Sequence, residues 1–288
     1  MESGVTFIGF GEAAIAFAGA GARGFDVKLD DPAARPEKHA DFERAGVRAC
    51  DSAAQALADA RVIFSLVTAD QALAAARADA ALLAEGALWL DMNSVAPDTK
   101  RAAAAAIEPH GRYVDVAVMA PVHPARRDVP LLVSGPHAEA GASALVDAGF
   151  GNVRIVAGGI GAASSIKMIR SVMVKGIEAL SVECALAAEV AGVRDEVIVS
   201  LDASWPGADW GRRFDYNLDR MMVHGLRRAA EMEEVASTLD ALGTGAAMTR
   251  GTIARQHAIG DLGIAPPAGL AAKLRTLLPF LTRLEKAA

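Results

Sequence analysis

The chain has 288 residues, 52% of them hydrophobic, which is enough to bury the cores of two ordinary domains and too much for a disordered tail. Its net charge of -6 comes from 35 acidic and 29 basic side chains with no long single-sign run, which argues against nucleic acid as a partner. Cys50 and Cys184 are too few for a disulfide scaffold and are not spaced as metal ligands, so a reducing compartment and no metal are expected.

The chain enters a strand pattern after three residues, with no basic leader segment, and no apolar run reaches the roughly 18 residues that cross a bilayer. A soluble, cytoplasmic protein with no membrane partner is expected. In chain order, short β-rich apolar runs at Val5 to Phe10, Asp26 to Leu29, Arg61 to Val67, Ala87 to Met92, Tyr113 to Val118 and Leu131 to Ser134 alternate with alanine-rich helical segments. That rhythm predicts repeated βαβ units and a mainly parallel sheet covered on both faces. Near Gly158 the pattern changes. Beyond GGIGAASS the strand-like runs cease, and helical periodicity continues through Ile166 to Val190, Tyr216 to Leu242 and Pro267 to Lys286. SWPGADW, around Pro206, reads as a loop folded over a helix pair, and LLPFLTRL, apolar on more than one face, as a buried helix or a subunit interface.

Within TFIGFGEAAIAFAGAG, Gly9 and Gly11 follow the first strand directly and Ala14 takes the third small position of a G-x-G-x-x-A motif. Gly9 permits the tight turn, Gly11 lets the backbone approach a pyrophosphate, and the following helix offers unpaired N–H groups to the anion. Gly9, Phe10, Gly11, Glu12, Ala13 and Ala14 are therefore the candidate cofactor turn. The expected architecture is an α/β N-terminal Rossmann domain, residues 1–158, followed by an all-α C-terminal domain, residues 159–288. The second strand, DVKLDD, is expected to end in Asp30, about where an acid accepts a hydrogen bond from the ribose. A carboxylate there repels a 2′-phosphate, so NAD is predicted over NADP, with Lys28 and Arg35 near enough in sequence to soften the preference. VIFSLVTADQAL places Val67 and Thr68 at the carboxyl edge of the sheet, and WLDMNSVAPDT places Asn93 and Ser94 there. The Asn93 amide has two readings, as a hydrogen-bond partner of nicotinamide or substrate or, with Ser94, as the cap of the next helix.

Taken together, IGFGEAA, NSVAPDT, YVDVAVMAPV and GGIGAASSIKMIRS resemble the β-hydroxyacid dehydrogenase family, which includes 3-hydroxyisobutyrate and 6-phosphogluconate dehydrogenases. DASWPGADW and DYNLDRMMVHG are similar to a phosphogluconate dehydrogenase-like branch of that family. The resemblance implies that a Gly-rich turn opens a long helix whose first turns carry the catalytic lysine, matched by Lys167. It also implies a homodimer built through the helical domain, and a small-molecule substrate, expected to be a carboxylate. Where the family reads D-x-P-V-S-G-G, Met119, Ala120 and Pro121 stand at the Ser-Gly-Gly positions, which removes a hydroxyl and a backbone donor. Ser171 matches an asparagine of the family and His224 a lysine. These departures argue against 3-hydroxyisobutyrate and 6-phosphogluconate as substrates.

Oxidising an alcohol requires a group that takes the hydroxyl proton, and one amine of suitable pKa serves both directions of the reaction. A desolvated lysine beside the positive ring of an oxidised nicotinamide has its pKa lowered toward that range. Against this stands the usual state of a lone lysine, a solvated side chain at a helix start. Arg126 or Arg127 is the candidate for carboxylate recognition, with His123, Arg170 and Asn217 as further candidates. A Tyr-x-x-x-Lys pair is missing, since Ala117 and Arg220 stand four residues after Tyr113 and Tyr216, which rejects a short-chain dehydrogenase. Two alternatives stay open: an imine reductase-like enzyme, or a dinucleotide-binding protein without turnover.

Overall fold

The computed structural model describes residues 4–280, so the part of LLPFLTRL beyond Phe280, and with it the end of the helix expected from Pro267 to Lys286, lies outside the described residues. The chain forms two compact units, which part between Met168 and Ile169.

The first unit alternates strands and helices: β1 (Thr6–Ile8), α1 (Glu12–Phe17), β2 (Arg23–Phe25), α2 (Arg35–Ala45), β3 (Arg48–Ala49), α3 (Ala53–Leu57), β4 (Val62–Ser65), α4 (Ala72–Asp79), β5 (Leu88–Asp91), α5 (Pro97–Ile107), β6 (Arg112–Val118), β7 (Leu131–Ser134), α6 (Ala138–Asp147) and β8 (Val153–Ile155). They build one sheet of order β3-β2-β1-β4-β5-β6-β7-β8, parallel except where β7 pairs antiparallel to β6. Strand order reverses direction between β1 and β4, the switch at which open α/β sheets bind ligands beyond the carboxyl ends of their strands.

Successive side chains of a strand point to opposite faces, and here both faces are apolar. Phe7, Phe64, Leu90 and Val114 pack in one core with Phe10, Phe17 and Phe42; Ile8, Ile63, Trp89 and Tyr113 pack in the other with Ala56, Ala76, Ala103 and Ile107. The two cores explain why the strands read as short apolar runs and the helices as alanine-rich.

The second strand differs from expectation. It covers Arg23–Phe25 rather than Asp26 to Leu29, and Asp26 instead opens a 3-10 turn over Val27–Leu29. Gly24 is the reason. A Cβ at Gly24 would stand 2.8 Å from the Phe7 carbonyl oxygen, so the strand lies too close to β1 to carry an apolar side chain there. β3, two residues long, and β8, three residues long with Arg154 and Ile155 exposed, are too short to read as apolar runs and were not expected.

The long helix α7 (Ala162–Val190) leads into the second unit, which continues as α8 (Arg194–Ser204), α9 (Trp210–Ala241), α10 (Ala247–Gly260) and α11 (Leu270–Leu277). Its core gathers Val182, Leu186, Phe214, Leu218, Met221, Ile259 and Leu274. α9 and α10 cross at Gly225 and Gly260, where a Cβ on Gly225 would lie 2.4 Å from the Gln256 carbonyl oxygen. Trp205 and Trp210 meet edge to face at 5.8 Å over the α8–α9 connection. Among the described residues no helix is long and apolar enough to cross a membrane.

Burial pushes the Asp79 carboxyl, at the end of α4, up to about 6. A raised acid pKa means that the folded chain holds the proton more tightly than the unfolded one. The charge therefore costs nothing below about pH 4, and its full cost is reached above about pH 6. Asp79→Asn is expected to stabilise the protein by about 2 kcal/mol at pH 7.5 and by nothing at pH 4, read from urea unfolding at both pH values; an equal effect at both would contradict this origin.

Candidate active site

One row of residues crosses the sheet near the carboxyl ends of its strands: Phe25, Ile8, Ser65, Asp91, Asp115 and Ser134 are successive partners in register. Its four polar members are buried. The sequence-predicted site residues of the first unit stand on the loops that leave this row.

Gly9 sits at φ 83°, and a Cβ there would stand 2.5 Å from the Leu66 carbonyl oxygen, so only glycine fits the turn out of β1. Gly11 is different. Nothing lies within 4 Å of a Cβ placed on it, so the protein's own packing leaves room for a side chain. Phe10 contributes its ring to the core, stacked on Phe42 with centroids 3.9 Å apart, and its backbone N–H to the loop. Glu12 is exposed, Ala13 half-buried, and Ala14 fully buried where α1 packs on the sheet. No side chain caps the first turn of α1.

The acid directly after β2 is Asp26, not Asp30. Asp26 accepts from the Phe10 N–H at 2.7 Å and from the Lys28 N–H at 2.9 Å, which holds its carboxylate against the glycine turn. Asp30 is exposed at the far end of the 3-10 turn. A strand placed three residues upstream puts Asp26, rather than Asp30, at its end.

Val67 and exposed Thr68 follow β4, and the Val67 N–H donates to Asn93 Oδ1 at 2.8 Å. The Asn93 amide donates to Ser65 Oγ at 3.0 Å and to Asp91 Oδ1 at 2.8 Å. Neither Asn93 nor Ser94 caps α5, whose N-cap is Ala96, followed by Pro97. Asn93 instead ties the loop after β5 to the loop after β4. Ser94, next to it, accepts a hydrogen bond from Lys167 Nζ. The structure thus brings Ser94 and Lys167 together, though 73 residues separate them in the chain.

A fully buried ion network lies beneath that contact. Lys100 Nζ donates to Asp91 Oδ1 at 2.9 Å and to the Asp91 carbonyl oxygen at 2.6 Å, and lies 3.5 Å from Asp115 Oδ1. Asp91 Oδ2 accepts from Tyr113 at 2.7 Å; burial, then the neighbouring Asp91 charge, pushes that phenol well above its ordinary pKa. Asp115 Oδ2 accepts from Gly161 N at 3.0 Å, Ser164 N at 3.2 Å and Ser134 Oγ at 3.1 Å, so the carboxylate receives the first turn of the helix that carries Lys167. Sequence reading passed over Lys100 because a lysine in an amphipathic helix is ordinarily solvated.

In the loop after β6, Met119 is half-buried, its N–H bonded to the Pro130 carbonyl oxygen at 2.9 Å, while Ala120 and Pro121 are exposed. His123 is exposed. Arg126 Nε donates to the Ala16 carbonyl oxygen at 3.4 Å, and Arg127 donates to that of Phe17 at 2.9 and 3.1 Å, so both guanidinium groups are engaged by the end of α1.

The remaining expected residues belong to the second unit. Ser171 and Arg170 lie on α7 and His224 on α9, while Asn217 donates to Ser181 Oγ at 3.0 Å. There, Lys175 pairs with Glu231 at 2.5 Å, and Arg228 with Glu178. Burial lowers the Lys175 pKa, and Glu231 opposes the shift.

Residues 5–149 match the NAD binding domain of 6-phosphogluconate dehydrogenase, and residues 188–259 match a domain of unknown function, DUF1932. Among solved structures, a conserved hypothetical protein from Sinorhizobium meliloti 1021 is 38% identical, with TM-score 0.73 over 100% of this chain and 97% of that one. A conserved protein of unknown function, described as structurally similar to 3-hydroxyacid dehydrogenases, is 29% identical with TM-score 0.67, covering 91% and 99% of the two chains. 3-Hydroxyisobutyrate dehydrogenase from Mycobacterium tuberculosis shares the fold at 19% identity, with TM-score 0.73 over 96% and 100%. No curated protein matches the chain.

The two glycines of the turn respond differently to a methyl group. Gly9→Ala is expected to lower stability by about 2 kcal/mol or more in urea unfolding, because backbone atoms must move. Gly11→Ala is expected to leave stability within about 0.5 kcal/mol and to weaken NADH binding at least about tenfold in a fluorescence titration. Unchanged NADH affinity would mean that the pyrophosphate does not pass Gly11.

Proposed function

We propose, from the premise that this chain belongs to the β-hydroxyacid dehydrogenase family and carries its NAD(P)-binding domain, that it interconverts a small hydroxyacid and its carbonyl form, with Lys167 as general acid and base. The observation that carries this reading is the hydrogen bond from Lys167 Nζ to Ser94 Oγ on the loop after β5, at the sheet edge where open α/β sheets bind ligands.

Bound nicotinamide dinucleotide supplies the hydride acceptor or donor. Lys167, as a neutral amine, takes the hydroxyl proton of the alcohol, and as ammonium it returns that proton to the carbonyl oxygen in the reverse direction. Ser94 holds the amine through its hydroxyl and so limits the positions from which the proton moves. The space at Gly11 and the uncapped first turn of α1 fit a pyrophosphate. Asp26, rather than Asp30, is assigned the ribose hydroxyls, and its charge favours NAD over NADP. Asn93 acts by joining the loops after β4 and β5. The helical unit is assigned substrate binding and dimerisation, with Ser171 and His224 on the substrate side as the family resemblance implies. Because Arg126 and Arg127 serve the end of α1, carboxylate recognition is not assigned to them.

Asp26→Asn keeps an acceptor for the Phe10 N–H and loses the charge; it is expected to weaken NADH binding about 10- to 100-fold and to narrow the preference over NADPH, whereas Asp30→Asn stays within about threefold. The opposite ranking would return the ribose to Asp30. Lys167→Met is expected to lower kcat by about two to four orders of magnitude on whichever hydroxyacid of a panel turns over, with NADH affinity within about threefold. Turnover close to that of the unmodified chain would refute the assignment, and NADH binding without turnover on any of the panel would favour a binding protein.

A further inference from the structure

We infer that Lys100 is a positioning residue for Lys167, an inference that deepens the reading above and rests on it only for its consequence in turnover. Lys100 is completely buried at 0% exposure, with Asp91 and Asp115 at 1% and 0%. Desolvating three charges is costly, and well-packed apolar residues of similar volume commonly stabilise as much or more. A buried network of this kind therefore does more for registry than for stability.

What Lys100 registers is visible in its two partners. Asp91 also accepts from the Asn93 N–H at 3.0 Å and from the Asn93 amide at 2.8 Å, so it fixes the turn from which Ser94 projects. Asp115 holds Gly161 N and Ser164 N, and thus the start of α7, from which Lys167 projects one turn later. Side by side in register on β5 and β6, the two carboxylates would repel without a cation. Lys100 Nζ, reaching both from α5, closes a circuit in which the Ser94 loop and the Lys167 helix are fastened to one ammonium. Asp115 Oδ1 has no hydrogen bond, so its only described link is the ion pair to Lys100 at 3.5 Å. The Ser94–Lys167 contact is the open end of that circuit, and its geometry follows from the closed end.

The test compares the full-length protein with Lys100→Met and with Lys100→Met/Asp115→Asn, which keeps an acceptor for the helix start, removes the charges of Lys100 and Asp115 and leaves that of Asp91 on its Tyr113 and Asn93 partners. The chain has seven lysines, so [ε-13C]lysine labelling resolves them, and loss of a resonance in Lys167→Met identifies that of Lys167. The double variant is expected to recover part of the thermal stability lost in Lys100→Met, because one of the two repelling carboxylates is neutralised. Its Lys167 resonance is still displaced by more than a linewidth, and kcat falls about tenfold or more with KM for NADH unchanged, since misplacement of about 1 Å can cost about a hundredfold. If the stable double variant shows the Lys167 resonance of the unmodified chain, or if kcat recovers in step with stability, Lys100 is structural and the inference is overturned. If Lys167→Met itself keeps its turnover, the acid–base reading fails, while the resonance still decides whether Lys100 positions that amine.

Discussion

The charged centre beneath the carboxyl edge of the sheet, Lys100 between Asp91 and Asp115, is the constraint on which the site depends. A parallel sheet buried on both faces leaves no water for a polar strand residue, so each carboxylate at that level must find protein partners. The partners found are a tyrosine, a serine, an asparagine, the first amides of α7 and one lysine. Each belongs to a different element. Satisfying two buried charges therefore fixes β5, β6, β7, α5 and the start of α7 against one another, and the functional loops inherit that order.

Two tiers of the same edge then divide the work. Below, charges are buried and held by protein partners; above, the chain offers Gly11 with open space, Asp26 against the glycine turn, and the Ser94–Lys167 contact. A rigid lower tier gives the upper one fixed geometry, which the proposed proton and hydride transfers need more than they need affinity. α7 carries two lysines in different settings. Lys175 is paired with a glutamate inside the helical unit, while Lys167 stands at the sheet edge on a serine hydroxyl.

Much of this was legible in the sequence, and the omissions share a cause. The glycine turn, the alternation of strand and helix, and the change to helices after Gly158 are local patterns, and periodicity reads them directly. Gly24 hid β2, because a strand pressed against its neighbour presents no apolar alternation; Asp30 was therefore expected at the strand's end, where the structure has Asp26. α10 escaped notice because it is held by glycine-to-backbone contact at Gly225 and Gly260 rather than by an apolar stripe. Lys100 was invisible for a different reason: nothing local distinguishes a buried charge from a solvated one, and only the fold brings its partners near. The family resemblance supplied Lys167, which composition alone would have left on the surface.

A crystal structure of the protein with NADH bound tests the central claim most directly. The account predicts the adenosine ribose at Asp26, the pyrophosphate over Gly11, and the nicotinamide ring on the side where Lys167 meets Ser94, with space beside the amine for a substrate oxygen at about 2.6–3.2 Å. A nicotinamide ring bound away from Lys167, with no room between the two for a substrate oxygen, would contradict it.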